Sequence, residues 1–168
     1  MAKASIAGQS SLGVTFSYGT ESTAGTKPAS FTLLDRINSI GGITITPQNI
    51  DASALEDYVT RNVAGRADSG EQVEVVVNFT DETATEWGNL ITAYKALTGG
   101  KQMWFQTVHP KLDKAFFFIG QPPEQIPQPE VGQNELLTVS FPLTIVEYKG
   151  YDTKVTVADN PAISGGGL

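Results

Sequence analysis

The chain has no cysteine and a single histidine among its 168 residues. The first absence excludes disulfides, thiolate nucleophiles and zinc–thiolate centres, so stability has to come from packing or assembly. The second leaves His109 as the one imidazole. No Gly-x-Ser-x-Gly elbow supplies a nucleophile for it, so a Ser-His-Asp triad cannot be built, and His109, followed by Pro110, reads as a loop histidine at a strand end. No Gly-x-Gly-x-x-Gly fingerprint occurs, and Gly99-Gly100-Lys101 lacks the upstream glycine and the following Ser or Thr of a phosphate loop. Apolar runs are short: none nears the ~20 residues of a membrane span. Met1 to Tyr18 is rich in Gly and Ser with no apolar core of signal-peptide length, which predicts synthesis in the cytoplasm. The sequon Asn78-Phe79-Thr80 is then a chance match.

Bases are scarce as well, with 11 against 18 acids and a formal net charge of -7. Residues 51 to 86 hold Asp51, Glu56, Asp57, Asp68, Glu71, Glu74, Asp81, Glu82 and Glu86 against Arg61 and Arg66, which accounts for the whole excess. Such a region is a solvated acidic face or a surface that does not hold polyanions, and nucleic-acid binding through a basic patch is disfavoured. The carboxylates Asp81, Glu82 and Glu86 fall at the start of a predicted helix, where acids favour the dipole, so they read as helix-stabilising rather than as a catalytic pair or cation site. No catalytic, metal or cofactor-binding residue is assigned, and the chain is not expected to be an enzyme.

What is present is a strand-helix-strand unit from Glu71 to His109. Val73, Val75, Val77 and Phe79 alternate with Gln72, Glu74, Val76 and Asn78, the period of a half-buried strand. A helix over about 82–98 follows. Thr83 and Glu86 have capping-box spacing, and Ala84, Trp87, Leu90, Ile91, Tyr94 and Leu97 share one apolar arc, with Glu86 outside it. Gly99-Gly100 is expected to end that helix. Gln102 to Val108 is a second strand, rich in aromatic and β-branched residues. Trp87, Ile91, Tyr94, Phe105, Phe117 and Phe141 are the core candidates, since large apolar residues on one face are ordinarily buried.

Around this unit, Gly13–Gly19, Pro28–Leu34 and Gly42–Thr46 read as strands, with Asp35 to Ser39 as a separator. Ala115 to Gly120, apolar on both faces, reads as a buried strand. Gln121 to Gln133 contains Pro122, Pro123, Pro127 and Pro129 without PxxP spacing, and is a stiff connector. Asn134 to Tyr148 is the longest strand, and Pro142 predicts an edge or bulge there. By length the chain is one domain, over residues 1–150, with a short extension at 151–168 that is partly disordered. Pro47 to Gly70 fits neither period, and a segment this long without regular structure is usually functional. Its apolar residues Ile50, Leu55, Tyr58, Val59 and Val63, mixed with Arg61, Arg66 and Asp68, suit a subunit interface.

From about Ala52 to Tyr148 the order of features resembles the tail tube proteins of long-tailed bacteriophages. The corresponding stretches are Ser53 to Asp57, the turn Val63 to Gly70, the helix with its Gly-Gly stop, Phe116 to Gly120, the proline-rich loop and the closing strand Glu135 to Phe141. The resemblance implies a mainly β fold, a β-sandwich or partial barrel with one packed helix and a long inter-subunit loop. It further implies a virion protein, made in the host cytoplasm, whose hexameric rings stack into a tail tube. Through that tube DNA and the tape measure protein pass without specific binding, and the tail terminator and the baseplate or tail-tip proteins meet its ends. Glu71 and Glu74 are then the candidate lumen acids. A type VI secretion tube has a similar fold and is the nearest alternative. A small-ligand or carbohydrate-binding sandwich, with Trp87, Trp104 and Tyr58 as stacking platforms, is the other.

Overall fold

Ten strands and one helix follow one another in the computed structural model, which describes residue 10, residues 12–68 and residues 70–158. They are β1 (Thr15–Thr20), β2 (Phe31–Leu34), β3 (Ile37–Ile40), β4 (Thr46–Asp51), β5 (Asn62–Asp68), β6 (Gln72–Asn78), α1 (Asp81–Lys95), β7 (Met103–Val108), β8 (Lys114–Gln121), β9 (Thr138–Thr153) and β10 (Val157–Ala158). Eight strands form one sheet in the order β10-β2-β1-β7-β8-β9-β6-β3, while β4 and β5 form a separate two-stranded sheet.

Strand order and connection length together dictate the shape. β2 and β3 stand six positions apart in the sheet, about 29 Å if the sheet were flat. Yet only Asp35 and Arg36 join them, and from Leu34 to Ile37 the chain can span no more than about 11 Å. The sheet must therefore curl until its two ends nearly meet. Arg36 turns the corner in the left-handed region, at φ 58°. The fold is mainly β, a partial barrel closed on one side by this corner and by α1.

The barrel interior is the main core. Phe16, Phe105 and Phe118 stack on one another, with ring centroids of Phe105 and Phe118 5.0 Å apart. Trp87 of α1 lies flat on Phe141 of β9 at 3.9 Å and is fully buried. Ile91, Phe105 and Phe141 are buried in the same cluster, and Tyr94 packs half-buried against it. Phe117 belongs to a smaller cluster on the other face of the sheet, with Phe31, Trp104, Ala115 and Ile119. That second cluster is why β8 is apolar on both faces. Its cover comes from the chain's end: Val155 and Val157 pack on it, and the Lys27 ammonium sits 3.9 Å above the Phe117 ring. Gln106, wholly buried on β7, ties this cover down. Its Oε1 accepts the Val155 N–H at 2.9 Å, and its Nε2 donates to the Val155 carbonyl at 3.3 Å.

Several expectations are corrected. Pro47 to Gly70 is not irregular: β4 and β5 pair in it as an antiparallel hairpin, and no alternation announced them because neither strand buries a face. The expected separator contains β3, which exists because it pairs with β6, while Gly42 to Ile45 is not a strand. α1 starts at a capping box made by Thr80 and Thr83, not Thr83 and Glu86, and stops at Lys95, four residues before Gly99. Glu86, placed outside the apolar arc, lies inside it among Thr83, Trp87, Leu90 and Ile91. β9 lies between β6 and β8, yet at Pro142 it is locally an edge on the β8 side, as the proline predicted. Pro142 is opposite Glu74 and turns its nitrogen away from β6, toward the β8 side, where β8 has ended with Gln121 opposite Thr144. No ladder bond is lost. β9 runs past residue 150 to Thr153, and β10 pairs with β2 at the sheet edge. The expected disorder beyond Asn160 lies outside the described residues.

Candidate assembly interface

The β4–β5 hairpin is an arm. It leaves the barrel after Ile43, pairs from Thr46↔Asp68 to Asp51↔Asn62, and carries its tip about 20 Å outward at the usual rise per residue. Every residue of β4 is exposed. A Cβ at Gly65 would approach Ile50 Cδ1 to 3.1 Å and the Gln48 carbonyl to 3.2 Å, so the glycine lets Ile50 lie across the partner strand.

Residues 52–61 form the tip, and hydrogen bonds give it a fixed shape. The Asp57 carboxylate accepts the Ala54 N–H at 2.8 Å and the Arg61 Nε–H at 3.1 Å. Ser53 Oγ accepts the Arg61 N–H at 2.8 Å, and the Ala52 N–H donates to the Arg61 carbonyl at 2.8 Å. The Asp51 carboxylate accepts the Ser53 N–H at 2.9 Å, and these bonds with Ser53 hold its carboxyl below the usual range. The polar groups bond to one another, while the apolar side chains have no cover. Leu55 and Tyr58 are fully exposed, and Val59, Val63 and Ile50 are each more than half exposed.

Among the charged interface candidates, Arg61 pairs with Asp57 of the same arm at 3.1 Å. Arg66 is exposed and makes no ion pair among the described residues. Asp68 is exposed, and its carboxylate accepts the Gly70 N–H at 2.9 Å. Glu71 and Glu74 are exposed at the start of β6. His109 is partly buried at the end of β7, where Nδ1 accepts the Lys111 N–H and Nε2 meets the Ser10 carbonyl. Trp87 and Trp104 are buried, so two of the three stacking platforms of a ligand-binding sandwich are absent from the surface, and Tyr58 stands alone at the arm's tip.

Two features went unforeseen. One is the open mouth of the barrel beside the root of the arm, a groove of about 820 Å³ lined by Leu12, Val14, Ile37, Ile40, Phe116 and Tyr148 among others, with no charged side chain among the described residues. Its residues come from five separate stretches, and only the curl of the sheet brings them together. The other is Glu86, fully buried on α1, whose Oε2 accepts the Asp35 N–H at 3.0 Å while Oε1 has no hydrogen-bond partner among the described residues. Burial, reinforced by the Asp35 carboxyl, pushes its pKa up to about 7 against the lowering effect of the Asp35 N–H. Its spacing of three residues from Thr83 was the available signal. Among the described residues no group of three or more His, Cys, Asp or Glu could hold a metal ion.

No family model matches the chain, and no curated protein matches it. Among solved structures, a chain of the anti-feeding prophage baseplate, a 6-fold symmetrised cryo-EM structure, is similar with a TM-score of 0.48 and 10% identity, over 92% of this chain and 98% of that one. A likeness of that size assigns neither family nor activity, so the functional reading rests on the arm and on the order of sequence features.

Proposed function

We propose that the chain is a structural, non-enzymatic subunit that assembles with copies of itself into stacked hexameric rings, forming the tail tube of a bacteriophage and the conduit for its DNA. The observation that carries this reading is the arm: a hairpin of fixed geometry that holds Leu55, Tyr58 and Val59 in water. Exposed apolar groups on a rigid element favour association, since burial recovers roughly 25 cal/mol for each Å² of apolar surface. The acidic excess between residues 51 and 86 suits a conduit that DNA slides through without holding. In such an assembly the tape measure protein occupies the lumen, and the terminator and the baseplate or tail-tip proteins close the ends.

Replacing Ala52 to Arg66 by a Gly-Ser link tests this, because it removes the tip and most of β5 from an exposed arm and leaves the barrel core in place. The expected product keeps the β circular dichroism signal of the eight-stranded barrel and scatters light as a monomer, where the full chain forms rings or tubes. Tubes formed by the shortened chain would sink the proposal.

A further inference from the structure

We propose that the corner between β2 and β3 is a proton-operated latch: neutral Glu86 lets α1 seat on Asp35 and hold the barrel closed there, and ionised Glu86 loosens the corner so that this side of the barrel opens. A latch of this kind works within one subunit, whether or not that subunit assembles.

Two hydrogen bonds tie the corner to its neighbours. Glu86 Oε2 accepts the Asp35 N–H at 3.0 Å, and the Asn78 N–H of β6 donates to the Arg36 carbonyl at 2.9 Å. Only the first depends on a titratable group. Between them Arg36 sits at φ 58°, a conformation that a residue other than glycine adopts at a cost, so the corner keeps its shape only while its partners hold it.

The surroundings of Glu86 suit a neutral carboxyl and offer little to a charged one. A carboxylate accepts several hydrogen bonds, yet Glu86 receives one, and its Oε1 has no partner among the described residues. None of the titratable or charged groups around it supplies a cation. Tyr18 of β1 is a phenol kept neutral by burial, Asp35 is a second acid, and Arg36 is exposed on the outer side beside exposed Glu82 of α1. No salt bridge reaches Glu86 among the described residues. Water is close by. Ile37, the first residue of β3, lines both the groove at the barrel mouth and a second one of about 680 Å³ shared by Leu34, Arg36, Thr80 and Glu82. A two-residue link that borders open space can shift, and shifting it is the shortest way to hydrate Oε1.

Burial, with Asp35 adding to it, raises the Glu86 pKa from 4.5 to about 7 in the closed form, while a hydrated carboxylate in the open form titrates near its ordinary value. Opening therefore becomes easier as pH rises between those values and levels off above about 7.

Amide hydrogen exchange on the full chain, corrected for the intrinsic pH dependence of exchange, tests this. The reporters are the Asp35 and Asn78 amides, with the Ile145 amide, bonded to the Glu71 carbonyl at the other end of β6, as reference. Expected at pH 7 is protection at Asp35 and Asn78 at least about tenfold below that of Ile145, after a fall of at least about tenfold from pH 5. Glu86→Gln should abolish that fall. Asp35→Asn, which keeps the backbone N–H and removes the neighbouring acid, should make the fall level off at lower pH, and it serves as the second variant in case Glu86→Gln impairs folding. Protection equal to that of Ile145 at every pH would mean that the corner opens only when the whole chain unfolds, and would overturn the latch. So would a fall that persists in Glu86→Gln, or one whose plateau stays at the wild-type pH in Asp35→Asn.

Discussion

The carboxylate of Glu86 and the backbone N–H of Asp35 meet at 3.0 Å across the corner that closes the barrel. Through this one bond, helix α1 holds the two-residue link between β2 and β3. Glu86 is fully buried and the Asp35 carboxyl stands beside it, so its neutral form is favoured even though the bond itself is stronger to the carboxylate.

The sign of the pH dependence follows. The carboxyl titrates near 4.5 in the unfolded chain and at about 7 in the folded one, so the folded state binds the extra proton between those values. The contribution is complete below about pH 4.5 and is lost as pH rises to about 7, at no more than ~1.4 kcal/mol per pH unit. Urea titrations should show the wild type losing on the order of 2 kcal/mol relative to Glu86→Gln between pH 5 and 8. Curves that run parallel for the two proteins would contradict the burial of a neutral carboxyl.

Trp87→Ala removes the ring stacked on Phe141 at 3.9 Å and leaves a cavity between α1 and the sheet. The expected loss is about 3–5 kcal/mol in chemical denaturation. A melting temperature within a degree or two of wild type would mean the helix packs elsewhere.

Gln106→Leu keeps the apolar bulk on β7 but leaves the Val155 N–H and carbonyl without their side-chain partners. A buried backbone group left unpaired costs about 1–3 kcal/mol. Residues 154–158 should then detach before the barrel unfolds, seen as faster amide exchange at Val155 and at Phe31, whose N–H donates to Thr156. Unchanged exchange at both amides would show that the segment is held by its valines alone.

Glu71→Gln with Glu74→Gln removes two exposed charges without touching the core. If these side chains line the conduit, assembled tubes of the double variant should retain more DNA than wild type at low salt, where phosphate contacts are strongest. Equal retention would place both carboxylates away from the lumen.

Where a residue's environment is settled by its near neighbours in the chain, the sequence by itself determined the outcome. The alternation of Val73, Val75 and Val77 fixes a strand with one wet face, and Trp87, Leu90 and Ile91 fix the inner side of a helix. The two-faced apolar run around Phe117 fixes a strand covered on both sides. Those signals are local because a helix or a half-buried strand imposes its period wherever one face is dry. Only the tertiary structure decided the rest. β3 has too few residues to show a period and exists by pairing with β6; β4 and β5 have no dry face in this chain, so no alternation was selected in them. Glu86 looked like a surface acid because its partner, the Asp35 N–H, lies 51 residues away. The groove beside the root of the arm is lined by residues from Ser10 to Tyr148, and curling the sheet is the only step that puts them side by side.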